Sequence, residues 1–389
     1  MNPRSLSRIR ISLVAAIAVT ISVVLTTGVA EAAPTTIGPT ATIPVGGLPS
    51  QGLLSPDGSR LYVTVARLSP DREEVPGTVA VIDTSTNAVL TQIPVGPTPL
   101  FGSLNTAGTR LYVPNNGDGT VSVIDTASNT VLATVTTGGT PSYSVVNPAG
   151  TKVYVPGMST NVMTVMDTAT NTVTRQIATE AHPQAVVFSA DGSRAYLTVR
   201  DANAVQVIDT ATDTVIATVP VGKRPIRPVL DPKGIRVFVP NFEGDSVSVV
   251  NAATNQVTGT IRVGNGPIPP VMNAKGTRMW VGNGTDGTVS EVNIGPRPGK
   301  NSVLRTIKVG ANPSFAMLNA DGDTLYITNQ DSDTVSAICT ATGKVTRTFT
   351  TGDRPRQTVG GSALYSIDQG GGQVSVFAAS RLGSGACRK

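Results

Sequence analysis

The chain has 389 residues, of which 39% are hydrophobic and 14% charged, with 40 Gly, 28 Pro and a formal net charge of +5. This composition favours short strands and tight turns over helices. There is no Lys/Arg block to track a nucleic-acid backbone and aromatic residues make up only 4%, so nucleic-acid binding is disfavoured from the outset.

At the N-terminus, residues 1–32 have the three parts of a secretory signal. Arg4, Arg8 and Arg10 form a basic start, Ile11 to about Val29 is apolar, and Ala30-Glu31-Ala32 places small residues at the cleavage positions. Ala33 would then begin the mature chain. An uncleaved membrane anchor is the competing reading, because the run is long for a signal. No Cys lies at the junction, which argues against a lipoprotein. Cleavage would leave 27 basic and 24 acidic residues, a net charge of +3, and no membrane span. Residues 33–40 read as a short linker.

From residue 41 to residue 379 one unit recurs. An aromatic residue followed by an apolar one marks it, at Tyr62, Tyr112, Tyr154, Tyr196, Phe238, Trp280, Tyr326 and, more weakly, Tyr365. The first spacing is 50, the next four are 42, and the last two are 46 and 39. Self-similarity at such a period signals a repeat architecture. Each unit reads as four short strands. A G-x-x-P step leads into an apolar strand such as Gln51–Leu54, and a tight turn such as Ser55-Pro56-Asp57-Gly58 follows. The second strand carries the aromatic residue, and the third alternates with period two, as in Thr120–Asp125. An Asp-Thr-x-Thr/Ser-Asn turn comes next, as at Asp83–Asn87 and Asp125–Asn129. Strand four ends in Val-Gly or Thr-Gly, except in unit three, which reads Ile177-Ala178-Thr179-Glu180.

The phase of the repeat matters. The chain enters on a fourth strand, Ala41–Val45, and the last unit lacks one after about Gln373–Ala378. The N-terminal strand can complete the last sheet and close a ring without open edges. The expected fold is an all-β propeller of four-stranded blades, with eight blades expected and seven as the alternative. Residues 380–389 form a C-terminal tail. Cys339 stands where other units have Asp, and Cys387 lies in the tail; a bond between them would pin the tail, against the alternative of two free thiols.

Tyr62-Val63-Thr64, Tyr112-Val113-Pro114-Asn115, Tyr326-Ile327-Thr328-Asn329, the Val-Ile-Asp-Thr segments and the Ile-Pro-Val-Gly steps resemble the YVTN-repeat β-propeller family. The resemblance covers about residues 40–378. That family includes surface-layer and periplasmic proteins and shares no single activity, so the resemblance implies an extracytoplasmic propeller and leaves function to the site.

With the first strand innermost, the residues flanking each G-x-x-P proline should ring the channel mouth. They are Arg224, Arg227, Arg354 and Arg356, with Lys223 nearby, and Gln51, Phe101, Tyr143, His182, Gln184, Phe315 and Gln357. Several arginines in a ring suit a carboxylate, a phosphate or a sulfated sugar through forked hydrogen bonds. The competing reading turns these side chains outward into solvent. The loop 66–77 lies on the same face and reads as a mobile flap. The loop 295–302 falls on the opposite face and reads as a plain loop.

No catalytic set is evident. His182 is the only histidine, so a multi-His metal site is excluded, and no Ser-His-Asp spacing singles out a nucleophile. The recurring Asp83, Asp125, Asp167 and Asp209 read as turn formers. No metal site or cofactor is expected. The leading expectation is a secreted cell-envelope binding or scaffold protein whose partner is an anionic small molecule, a glycan or another protein. A propeller enzyme of the lactonase or dehydrogenase-subunit kind comes second, and nucleic-acid binding third.

Overall fold

The computed structural model describes residues 34–389 apart from 72, 297–299, 383–386 and 388–389, so the export signal read over 1–32 lies outside the described residues. Eight sheets follow one another round a ring. Blade 1 is built from Leu48–Leu54, Arg60–Leu68, Glu74–Asp83 and Ala88–Pro97. Blades 2 to 7 occupy residues 103–136, 145–178, 183–220, 229–262, 271–308 and 313–350. Blade 8 combines residues 355–378 with the N-terminal strand Ala41–Pro44. The count is eight, not seven, and the closing strand pairs as the phase required: Ala41 faces Val376 and Pro44 faces Gln373, antiparallel.

The local chemistry of each blade is that of its turns. In the hairpin after the first strand, Asp57 accepts the Ser59 amide and the Ser55 hydroxyl, with Gly58 at φ 70°. In the hairpin after the third, Asp83 Oδ1 accepts the amides of Ser85 and Thr86, and Asn87 takes a left-handed φ of 57°. Hydrogen bonds to the charged form hold Asp57, Asp83 and Asp191 at about 2. These recurring aspartates are turn formers, as the sequence indicated.

The blades pack face to face through the second and third strands. Tyr112, Val121 and Val123 of blade 2, for example, interlock with Val153, Val155 and Met166 of blade 3. Burying each large apolar side chain contributes about 1.5–3 kcal/mol. A second device recurs at the end of the aromatic strand. Asn115 Nδ2 donates to Thr120 and Ser122, Asn241 to Ser246 and Ser248, Asn283 to Thr288 and Ser290, and Asn329 to Thr334 and Ser336. Each of these asparagines is fully buried. The glycine ending the preceding blade packs on it so closely that a Cβ at Gly222 would lie 2.5 Å from Asn241 Cγ. Asp368 fills this place in blade 8, accepting the Gly352 amide at 2.9 Å and the hydroxyls of Ser366 and Ser375. Unit three departs from the Gly rule where the matching residue of blade 4 is Val199: Glu180 has no buried Asn or Asp opposite it of the kind that crowds glycines 96, 222, 264, 310 and 352.

Three terminal and loop features go beyond the sequence reading. The segment read as a linker contains a strand, Thr35–Ile37, which adds in parallel to the outer edge of blade 7 with Ile37 opposite Phe349. The segment read as a mobile flap is a hairpin extension of blade 1, still paired at Leu68–Glu74, with Arg67 donating to Gln92 at 2.7 Å. It lines none of the channel cavities described below. The tail forms a helical turn, Ala379–Leu382, whose Leu382 packs beside Phe349 and Phe377, and Cys387 is bonded to Cys339 of blade 7 with Cα atoms 5.3 Å apart.

Candidate functional site at the channel mouth

The innermost strands differ from blade to blade. In blades 1, 4, 7 and 8 they are regular, with a bulge at the residue after the proline. In blades 2, 3, 5 and 6 only two residues pair as a strand, preceded by an isolated bridge from the proline. In blades 5 and 6 the prolines 228, 269 and 270 remove the donors a longer strand would need.

In every blade but the fourth, where Ala185 holds the place, the second residue after the proline lines the channel. Gln51, Phe101, Tyr143, Arg227, Phe315 and Gln357 all hold this place, and all line one cavity of about 340 Å³, with Arg356 among them. Gln51 spans to blade 2 with both amide atoms, Oε1 accepting the Gly102 amide at 2.7 Å and Nε2 donating to the Gly102 carbonyl at 3.3 Å. Gln357 accepts the Gly52 amide at 3.0 Å. Phe101 and Tyr143 stack at 4.9 Å with ring planes 13° apart. Their backbones also join blades 2 and 3, through Phe101 N to Ser142 O and Ser144 N to Phe101 O, both 3.1 Å.

Two cations meet at this stack. The Arg356 guanidinium lies 5.4 Å from the centre of the Phe101 ring and donates to Gln369 at 3.3 Å. Burial pushes its pKa down, a sign of a charge taken partly out of water. Arg227 lines all three large cavities of the channel, as does Tyr143. Burial pushes the Tyr143 hydroxyl up, against the pull of the nearby charges of Arg227 and Arg356. It therefore stays protonated, as a donor, at neutral pH. Among the described residues neither Arg227 nor Arg356 has a carboxylate within 4.0 Å.

Of the residues expected at the mouth, Gln51, Phe101, Tyr143, Arg227 and Arg356 come together. Arg224 lines the largest cavity, about 650 Å³, but its charge is answered by Glu243 at 2.5 Å and its guanidinium rests on Phe242. Arg354 and His182 do not line the channel, contrary to expectation. Both stand immediately before the proline, in left-handed conformation with φ of 52° and 59°. Their amides are bonded to the preceding blade, at Asp333 and Asn161. That geometry uses the backbone of this position as an inter-blade clip, while His182 Nδ1 pairs with Asp201 at 2.7 Å.

The sequence reading also missed the apolar part of the wall. Ile226, Ile268, Pro269 and Pro313 line the largest cavity together with Asn312 and Asp331. The signal was present, since these residues are the proline or one of the two places after it, but attention to polar side chains passed over them. Among the described residues, no group of three or more His, Cys, Asp or Glu is placed to hold a metal ion.

Fold and site together define an eight-bladed β-propeller with an arginine-bearing channel mouth. Its repeats are of the YVTN type, as their motifs implied. The family described as a YNCE-like beta-propeller matches residues 193–368, and the Choice-of-anchor I domain matches residues 59–234. No curated protein matches the chain. Among solved structures the chain is similar to Kuenenia stuttgartiensis hydrazine synthase, with a TM-score of 0.59 and 22% identity over 77% of this chain and 96% of that one. It is also similar to a Bacteroides uniformis protein provisionally named as a 6-phosphogluconolactonase, with a TM-score of 0.59 and 16% identity over 77% and 98%. The dihydro-heme d1 dehydrogenase NirN gives a TM-score of 0.66 at 13% identity, over 78% of this chain and 66% of that one. At these identities the likeness is one of fold, and the fold neighbours include enzymes of different chemistry.

Proposed function

We propose that this chain is an exported cell-envelope binding protein whose channel mouth takes a small oxyanion. The observation that carries this reading is the uncompensated pair Arg227 and Arg356 beside the Tyr143 hydroxyl. Arg356 is drawn partly out of water without a counter-ion, which is costly, and Arg227 is exposed at the mouth beside it; an oxyanion restores the balance through charge-assisted hydrogen bonds to both. Export is supported by the residues 1–32, with their basic, apolar and small-residue parts, and by the Cys339–Cys387 bond, a feature of oxidising compartments. Among the described residues no helix is long and apolar enough to cross a membrane.

The binding test is calorimetric titration of the chain from Ala33 onward with phosphate, acetate and sulfate. Binding of at least one of them should weaken tenfold or more in the Arg227→Ala, Arg356→Ala double variant. Silence toward all three, or an unchanged affinity in the double variant, defeats the binding reading. N-terminal sequencing of exported protein should begin at Ala33; a chain retained with residues 1–32 in a membrane fraction defeats the export reading.

A further inference from the structure

Resting on the anion reading just given, we infer that the ligand is a monocarboxylate with an apolar body, and that this body lies over blades 4 to 7 in the cavity of about 650 Å³. Arg227 and Tyr143 belong both to that cavity and to the smaller one that contains Arg356. A carboxylate held at this boundary reaches both arginines and the phenol while the rest of the ligand extends into the larger space. A volume of this size suits a small molecule.

The wall decides what that rest must be. Ile226, Ile268, Pro269 and Pro313 offer no side-chain donor or acceptor. A sugar laid against them would leave hydroxyls unpaired, at a cost of about 1–3 kcal/mol for each buried one. Part of the polar rim is engaged already, with Arg224 paired to Glu243 and Asn312 donating to Gln330 at 3.5 Å. On the blade 4 side Gln184 Oε1 and Arg200 Nε are buried without a hydrogen-bond partner among the described residues, so that side can take one polar atom of the ligand while the apolar wall faces it from blades 5 to 7.

Charge sets the number of acid groups. Asp331 of blade 7 lines the same cavity, with no cation within 4.0 Å of it among the described residues. A second negative group on the ligand would be repelled there, whereas a single carboxylate anchored at the blade 5 side is not. The site therefore selects an apolar acid over a sugar acid or a phosphate.

The experiment compares 2-naphthoate, glucuronate and inorganic phosphate by calorimetric titration of the chain from Ala33 onward. Naphthoate should bind at least tenfold more tightly than the other two. Ile226→Ser should lower naphthoate affinity at least fivefold more than it lowers phosphate affinity, and Pro269→Ser provides a second variant of the same wall should the first fail to fold. Arg227→Ala should weaken all three. Glucuronate or phosphate binding as tightly as naphthoate, with the arginine dependence intact, overturns this inference and leaves the anion site standing. Binding of none of the three, or no dependence on Arg227 and Arg356, overturns both. Equal losses for naphthoate and phosphate in the wall variants also overturn the inference, since the apolar wall would then not be read by the ligand's body.

Discussion

The two halves of the ring hold their blades together in different ways. From blade 8 through blades 1 and 2 to blade 3, neighbours are tied at the channel wall, by Gln357 to Gly52, Gln51 to Gly102, and the Phe101–Tyr143 backbone bridge. From blade 4 to blade 7 that wall carries no such ties among the described residues, and the tie lies farther out, where glycines 222, 264 and 310 pack on asparagines 241, 283 and 329; blades 1 and 2 have this packing, Gly96 on Asn115, in addition to their tie at the wall. The blade 3–4 interface uses a third device on the opposite face: Asp213 accepts from Lys152 at 2.7 Å and from the Tyr154 hydroxyl at 2.5 Å. The blade 7–8 interface has both kinds, with Ser314 donating to the Arg356 carbonyl and Gly352 to Asp368. A propeller can release its inner edge only where it is fastened elsewhere. The largest cavity opens over the half that is fastened from outside.

The comparison can be broken by substitution. The largest effect should come from the Cys339→Ser, Cys387→Ser variant, because the bond closes a separation of 48 residues and a loop of that length is worth up to about 4 kcal/mol. Denaturant unfolding should show this loss, with anion affinity at the channel unchanged. Next comes Gly222→Ala, which drives a Cβ into Asn241 and should cost about 1–3 kcal/mol. Glu180→Ala, at the matching place before Val199, should stay within about 0.5 kcal/mol. Equal costs at the two places would show that the Gly–Asn packing is not what holds the outer half.

Smaller effects separate wall from site. Gln51→Ala leaves the Gly102 amide and carbonyl unpaired and should cost about 1–2 kcal/mol. Arg227→Ala should change stability by no more than about 0.5 kcal/mol, because this arginine is exposed and, among the described residues, has no ion pair to lose. The smallest effect concerns acid. Asp57, Asp83 and Asp191 sit at about 2, below the ordinary 3.8, so the stability they contribute is present above the unfolded value and lost as the pH falls from about 4 through about 2. These turns lie on both halves of the ring, so melting temperatures followed over that range should fall in parallel for the wild type and the Gln51→Ala variant. A steeper fall in the variant would place an acid-sensitive tie at the wall.

Much of the fold was legible because the repeat writes its turns in glycine, aspartate and asparagine, residues whose backbone and side-chain chemistry act locally. The site was legible in part. The rule that the second residue after the proline faces inward, while the one before it serves as a clip, depends on the left-handed backbone at Thr98, His182, Arg224, Asn312 and Arg354, and Thr98, Arg224 and Arg354 are of residue types that do not announce that conformation. The buried asparagines stood in plain view within Tyr-Val-Pro-Asn and Tyr-Ile-Thr-Asn, but their role needs the glycine of the neighbouring blade to become visible. Thr35–Ile37 could not be read at all, since three residues become a strand here only by lying against Arg347–Phe349.

Both ends of the chain meet at blades 7 and 8, and this has a consequence in time. Thr40 bonds to Val376 across a separation of 336 residues, so the strand made first must wait for the strand made last. Contacts between such remote segments slow folding. Until residues 355–378 have been made, the strand Ala41–Pro44 has no blade to join and blades 1 and 7 each lack a neighbour on one side, exposing apolar faces. A circular permutant opened between blades 4 and 5, with the old ends joined, would make blades 8 and 1 contiguous and remove that wait.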